Sequence, residues 1–279
     1  MATCRDTSPA SGPGAAAPVG VFDSGIGGLT VVRALRARLP GESIVYFGDT
    51  ARVPYGTKSA ETITRFAGEC AGFLLDRGVK LIVVACHSAA SVALAELARR
   101  LPVPVVGVLE PGARALARAT RRNRVAVIGT RATVLAGAYE RAVREHSPGI
   151  EVLARPAPLF VPLAEEGWVE GEVPELVAHR YLDGFREEGV DALLLGCTHF
   201  PLLAGVIAAA LGPGVRVVDS AEETAAEVAT VLAGRGLAAA ASAGRLCCYL
   251  SDIPPSFEAL AARFLGGPPG EVVRASVGR

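Results

Sequence analysis

Leu81-Ile82-Val83-Val84-Ala85-Cys86-His87-Ser88-Ala89-Ala90 and Ala192-Leu193-Leu194-Leu195-Gly196-Cys197-Thr198-His199-Phe200-Pro201 share one pattern. Each is a run of apolar residues that ends in a cysteine and passes into small or polar residues. A short continuous apolar run bounded in this way reads as a strand buried on both faces, as in parallel sheets. In α/β proteins of that kind ligands meet the carboxyl ends of the strands. Both cysteines therefore stand where chemistry is expected. Two thiols presented from two similar units can face opposite sides of one substrate, which is what removing a proton from one face of a carbon and returning one to the other requires.

The same alternation extends along the chain. Strands are predicted over 19–24, 43–49, 81–86, 103–109, 124–130, 151–156, 192–197, 215–219 and 246–252. Helices are predicted over 29–39, 60–77, 89–100, 111–121, 131–146, 174–188, 202–211, 221–233 and 256–264. This is an α/β fold with two similar doubly wound parallel-sheet domains and the active site in the cleft between them. The expected division is 18–111 plus 221–279 for the first domain and 112–220 for the second, with a disordered tail over 1–17.

Composition narrows the function. The 28 basic and 28 acidic residues balance, so no global field favours nucleic acid or an anionic membrane, and a small polar substrate fits better than a polymer. No apolar stretch reaches the roughly 20 residues of a membrane span, and residues 1–18 lack the apolar core of a signal peptide. The six cysteines follow no disulfide-framework spacing and are expected to be reduced, in a cytoplasmic protein. Cys70, Cys247 and Cys248 read as buried small hydrophobes. His146 and His179 fall on solvated helix faces.

Two loops carry further polar groups. Asp23-Ser24-Gly25-Ile26-Gly27-Gly28-Leu29-Thr30 is a glycine-rich turn opening a helix, suited to a small carboxylate. It is not a dinucleotide fingerprint, because Thr30 stands where the third glycine belongs, and no Gly-Lys-Ser/Thr ending makes it a P-loop. Phe47 to Ser59 has loop composition, with Asp49 at a strand end, Pro54-Tyr55-Gly56 in a turn and Ser59 starting a helix.

The chain also resembles the cofactor-independent glutamate racemases. Five strings carry the resemblance in order: Val21 to Gly28, Tyr46 to Gly56, the Ala85-Cys86 tip, Pro158 to Gly167 and Gly196 to Leu202, together covering about 19–220. The resemblance implies a two-base reaction without cofactor or metal, with Cys86 as the base for D-glutamate and Cys197 as the base for L-glutamate. Asp23 matches the helper beside Cys86 and His199 the helper beside Cys197. Glu165 matches a further carboxylate of the acid–base network, and Asp49 stands near it in role; the neighbouring Glu166 competes with Glu165 for that place. Besides Asp23, both thiols and His199, the implied substrate contacts are Ser24, Pro54, Tyr55, Gly56, Ser88 and Thr198. A bacterial enzyme supplying D-glutamate for peptidoglycan is what the resemblance implies, and a homodimer is compatible with it.

One departure stands out. Where the family carries Asn after the first catalytic cysteine, this chain has His87. Its Nδ1–H can reach as far as an Asn amide and so donate the same hydrogen bond to substrate; when protonated it would add a cation beside Cys86. Ala157, where many relatives have Cys, matters less. Other readings remain: a family racemase acting on aspartate or another amino acid, or a non-catalytic amino-acid-binding relative. Pyridoxal phosphate chemistry fits poorly, since the two lysines, Lys58 and Lys80, lie in no phosphate-cup context. A zinc site lacks its ligand spacing.

Overall fold

The computed structural model describes residues 14–240 and 243–277. Among these, ten strands pair in parallel throughout: β1 (Val19–Asp23), β2 (Ile44–Gly48), β3 (Leu81–Val84), β4 (Val105–Gly107), β5 (Arg124–Gly129), β6 (Glu151–Pro156), β7 (Ala192–Gly196), β8 (Arg216–Val218), β9 (Leu246–Leu250) and β10 (Glu271–Arg274). One sheet has the order β10-β9-β2-β1-β3-β4 and the other β6-β5-β7-β8. The protein is an α/β fold of two doubly wound parallel sheets.

This order decides where the site can be. From β1 the chain builds β2 on one side and then β3 on the other; from β5 it builds β6 and then β7 in the same way. Where strand order reverses, helices leave on opposite faces and a crevice opens at the carboxyl ends. Cys86 follows β3 and Cys197 follows β7, so each thiol stands at the switch point of its own sheet.

The strands are apolar on both faces because helices cover both. β1, β2, β3 and β7 are buried along their whole length. In β5 successive side chains alternate between two cores: Ala126 and Ile128 join a large core that also contains Val21 and Val83, whereas Val125 and Val127 pack with Tyr139 and Val143. The large core thus runs through both sheets. Helix Ala221–Gly234 returns the chain to the first sheet, where it packs on helix Leu29–Arg38. Ser59 caps helix Ala60–Leu75 by accepting the Thr62 amide, as its position suggested.

Several expectations change in detail. The predicted helix 131–146 is two, Arg131–Leu135 and Ala138–His146, parted at Gly137 with φ 60°. Helix Phe160–Glu166 and strand β10 were not predicted: the first is seven residues long with Pro162 in its opening turn, and the second is short and partly exposed. Much of the tail expected over 1–17 lies outside the described residues, but at its end the Ala15 carbonyl accepts a 2.6 Å hydrogen bond from Lys80. The expectation of reduced cysteines fails at Cys247, which is disulfide-bonded; Cys70, Cys86, Cys197 and Cys248 are free, and Cys4 lies outside the described residues. Spacing along the chain carried no sign of that bridge. No described helix is long and apolar enough to cross a membrane.

At the opposite end of the first sheet from the thiols, Lys80 and Glu42 form a buried ion pair of 2.5 Å, and Glu42 also accepts the Ala239 amide. Removing one member of such a pair strands the other charge in a medium that solvates it poorly. Lys80→Ala should therefore destabilise the protein by roughly 3–5 kcal/mol, read as a lower urea midpoint with an unchanged slope. A loss below about 1 kcal/mol would place the pair in the class of solvent-exposed bridges.

Candidate active site

The glycine-rich turn after β1 draws both strand tips together. Asp23, wholly buried, accepts the Gly25 amide on Oδ2 at 2.9 Å and the Thr198 hydroxyl on Oδ1 at 3.4 Å. Next to it, Ser24 Oγ accepts the Cys86 thiol at 3.5 Å. The first thiol is thereby linked through Ser24 and Asp23 to the residue that follows the second. Tyr46 donates to the Gly25 carbonyl at 2.7 Å and so fixes the turn from beneath. Gly27 has to be glycine: a Cβ there would stand 2.3 Å from Thr198 Oγ1 and 2.6 Å from His199 Nδ1. The close approach of the two sheets' loops is written into that position.

The second thiol has a different setting. Cys197 Sγ lies 3.8 Å from His199 Nδ1, and His199 Nε2 lies 3.0 Å from Glu165 Oε1. The unpredicted helix Phe160–Glu166 supplies that carboxylate; Glu166 beside it is exposed, so geometry selects Glu165. Phe264 packs edge-on against the imidazole at 5.1 Å between ring centres.

The electrostatics of the two thiols differ accordingly. Burial, then the Asp23 carboxylate, push the Cys86 thiol up to about 12, and the Ser24 hydroxyl and Ala89 amide do not offset this. A Cys197 thiolate adds to the same push, which puts the two sulfurs within reach of each other's field. Asp23 is itself raised by burial, against the opposing charge of His199. For His199 burial favours the neutral ring, but hydrogen bonds and charge from Cys197 and Glu165 win and raise it to about 10. An imidazolium beside Cys197 is the partner that a thiolate needs. Cys86 and Cys197 are only 5% and 7% exposed, so this is a closed arrangement.

Other candidates divide. Ser88 bonds Thr130 at 2.8 Å and Thr133 at 3.3 Å, and a Cβ at Gly56 would stand 2.6 Å from Thr130, so all four line one seam between the sheets. Asp49 is engaged elsewhere: it accepts Tyr55 OH at 2.5 Å, Arg52 Nε at 2.7 Å and Ser251 Oγ at 3.0 Å, and none of its described side-chain contacts is with a thiol or with Glu165. Arg52 also pairs with Glu69 and lies over the Phe66 ring at 4.0 Å. With the Tyr55 hydroxyl occupied and Pro54 exposed, the 54–56 turn has its backbone to offer the site.

His87 is a correction. Its Nδ1 bonds Tyr139 OH at 2.7 Å and its Nε2 bonds Ser220 Oγ at 3.4 Å, so both ring nitrogens are engaged within the protein. Burial lowers its pKa to about 3, which removes the expected cation beside Cys86. Sequence reading missed Thr130, Tyr139, Ser220 and Tyr46. Thr130 could have been found, because it ends the predicted strand 124–130 as Cys86 and Cys197 end theirs.

Fold and site define a two-sheet α/β protein with paired thiols at the strand tips. The Asp/Glu/hydantoin racemase family model matches residues 29–228, and the chain belongs to that family. A glutamate racemase of Geobacter metallireducens is 53% identical over 260 residues, 93% of this chain and 96% of the relative. The crystal structure of glutamate racemase from Thermus thermophilus in complex with β-chloro-D-alanine is similar at a TM-score of 0.86 and 52% identity, covering 94% of this chain and 98% of that one. That of Francisella tularensis in complex with D-glutamate gives 0.89 and 38% over the same shares.

A raised His199 pKa makes a stability prediction. A group whose folded value exceeds its unfolded 6.5 contributes stability fully below pH 6.5 and loses it as pH rises through about 10. Glu165→Gln removes one cause of the shift, so the variant's pH-dependent loss of stability should level off at lower pH and be smaller in total than in the wild type. Urea midpoints at pH 6, 8 and 10 read this; parallel curves for the two proteins would deny that Glu165 holds the imidazolium.

A second expectation concerns the loop. Arg52→Ala leaves Asp49 with one fewer donor and frees the Tyr55 turn, so amide exchange over 50–57 should quicken while the thermal midpoint falls by a few degrees at most. Unchanged exchange there would mean that Tyr55 and Ser251 suffice to hold Asp49.

Proposed function

We propose that this protein is a cofactor-independent glutamate racemase that moves the Cα proton between Cys197 and Cys86. The observation that carries the reading is the pair of buried thiols at the two switch points, one beside Ser24 and Asp23 and the other beside His199. In the L-to-D direction the Cys197 thiolate, beside the His199 imidazolium, removes the Cα proton and becomes a thiol. Cys86, held protonated by burial and Asp23, delivers its proton to the other face and becomes the thiolate. The reverse direction exchanges the roles. Two like groups with unlike neighbours, a carboxylate beside one and an imidazole beside the other, can take the roles of acid and base in turn.

On this reading Asp23 and His199 are the helpers of the two thiols, and Glu165 holds His199 charged. Ser24, the 54–56 backbone, Ser88 and Thr198 meet the substrate's carboxylates and ammonium, while Asp49 shapes the 50–57 loop. The two halves are 18–111 with 221–279, and 112–220, and the site is the seam between them. The relatives' activity, and the D-glutamate in one of their structures, support glutamate over other amino acids. A cytoplasmic role supplying D-glutamate to peptidoglycan belongs to the same proposal.

Each turnover uses both thiols, so Cys86→Ala and Cys197→Ala should each abolish racemisation in both directions. His199→Asn should lower kcat more than it raises KM, and weigh more on L-to-D. The measurement is deuterium entry at Cα from D2O over a panel of glutamate, aspartate and neutral amino acids. Sustained racemisation by either cysteine variant would reject the two-thiol assignment. Faster exchange on aspartate would move the substrate, and binding without exchange would make the protein a non-catalytic relative.

A further inference from the structure

The chain passes between the two sheets twice. The first crossing follows β4 at Val108, which leads into helix Leu109–Ala119, and the second follows β8 at Ser220, which leads into helix Ala221–Gly234. The crossings lie side by side: a Cβ on Gly112 would be 3.1 Å from Ser220 Cβ. One hydrogen-bonded chain spans them. The Ser220 hydroxyl is 3.4 Å from His87 Nε2, His87 Nδ1 is 2.7 Å from the Tyr139 hydroxyl, and that hydroxyl donates to the Val108 carbonyl at 3.5 Å.

With the ring neutral and the Tyr139 proton given to the Val108 carbonyl, the directions along the chain follow. Ser220 donates to Nε2, Nδ1–H donates to Tyr139, and Tyr139 donates to Val108. Burial keeps the ring neutral, and Tyr139 is buried beside it with the two rings 5.9 Å apart. His87 is also the first residue of helix His87–Arg100, whose cap position is Cys86. The residue adjoining the Cys86 thiol is therefore bonded directly to one crossing, at Ser220, and through Tyr139 to the other, at Val108.

We infer that His87 is a positioning residue: it pins the two crossings together and so sets how closely the half carrying Cys197 approaches Cys86. The inference rests on the two-thiol reading for its effect on rate. The pin itself is a matter of contacts that can be measured without activity. It needs no second proton on the His87 ring and no contact with substrate, and it gives a role to the residue at which this chain departs from its family.

The test uses the full chain in three forms, Tyr139→Phe, His87→Ala and His87→Asn, with the double variant His87→Ala/Tyr139→Phe. Amide hydrogen exchange is followed over 105–112 and 216–224, together with glutamate racemisation in both directions. Tyr139→Phe removes a single hydroxyl from the middle of the chain and should leave the protein folded. It is expected to quicken exchange at both crossings and to lower kcat about tenfold, equivalent to about 1.4 kcal/mol, with KM changed less and both limbs of the pH profile kept. His87→Asn, whose amide can reach Tyr139, should lose less than His87→Ala. Because the groups act as one chain, the double variant should be no worse than His87→Ala alone.

Unchanged exchange at both crossings in Tyr139→Phe would overturn the pin. So would additive losses in the double variant, or a pH limb that disappears with His87→Asn, which would make the imidazole an acid–base group. Absence of racemisation in the unmodified protein would instead overturn the proposed activity, and the exchange measurements would still decide whether His87 joins the crossings.

Discussion

A carboxylate sealed from water has to be held by its neighbours, and Asp23 is such a group. Its two oxygens take a donor from its own turn and a donor from the other sheet's loop, Gly25 N–H and Thr198 Oγ1. Much of the site follows from satisfying it. The turn is kept in shape by Tyr46, Gly27 lets the opposite loop close to contact, and Ser24 comes to lie against the Cys86 thiol. Loss of the Thr198 hydroxyl would take one of the donors from this buried carboxylate.

The sealed site gives the two sulfurs unlike neighbours. Cys86 shares its enclosure with a carboxylate, and both burial and charge favour the thiol. Cys197 shares its own with an imidazole that Glu165 helps to keep charged. The proposed chemistry needs one donor and one acceptor at any moment. Similar strand tips present the two thiols, and dissimilar neighbours surround them.

Around this centre polar residues fall into positioning networks. Asp49, with a side chain that meets Tyr55, Arg52 and Ser251, organises the loop after β2. Ser88, Thr130 and Thr133 stitch the seam. His87 lies deeper, bonded toward both crossings of the chain. Both thiols lie within this enclosure, only 5% and 7% exposed.

Strand periods, loop composition and the repeated apolar-to-cysteine pattern determined the class of fold and the location of both thiols by themselves. Those features are local: a strand buried on both faces must be apolar throughout, and a strand tip must turn polar to meet a ligand. The helix Phe160–Glu166 and strand β10 were hidden because each is too short for a period to show. Roles that depend on contacts distant in sequence came from tertiary structure alone. It turned Asp49 toward Arg52 and Tyr55, chose Glu165 over Glu166, and bonded His87 to Tyr139 and Ser220, 52 and 133 residues away. Sequence names the groups that can donate, accept or ionise; packing decides which partner each meets and whether water reaches it, and those two facts set hydrogen bonding and charge.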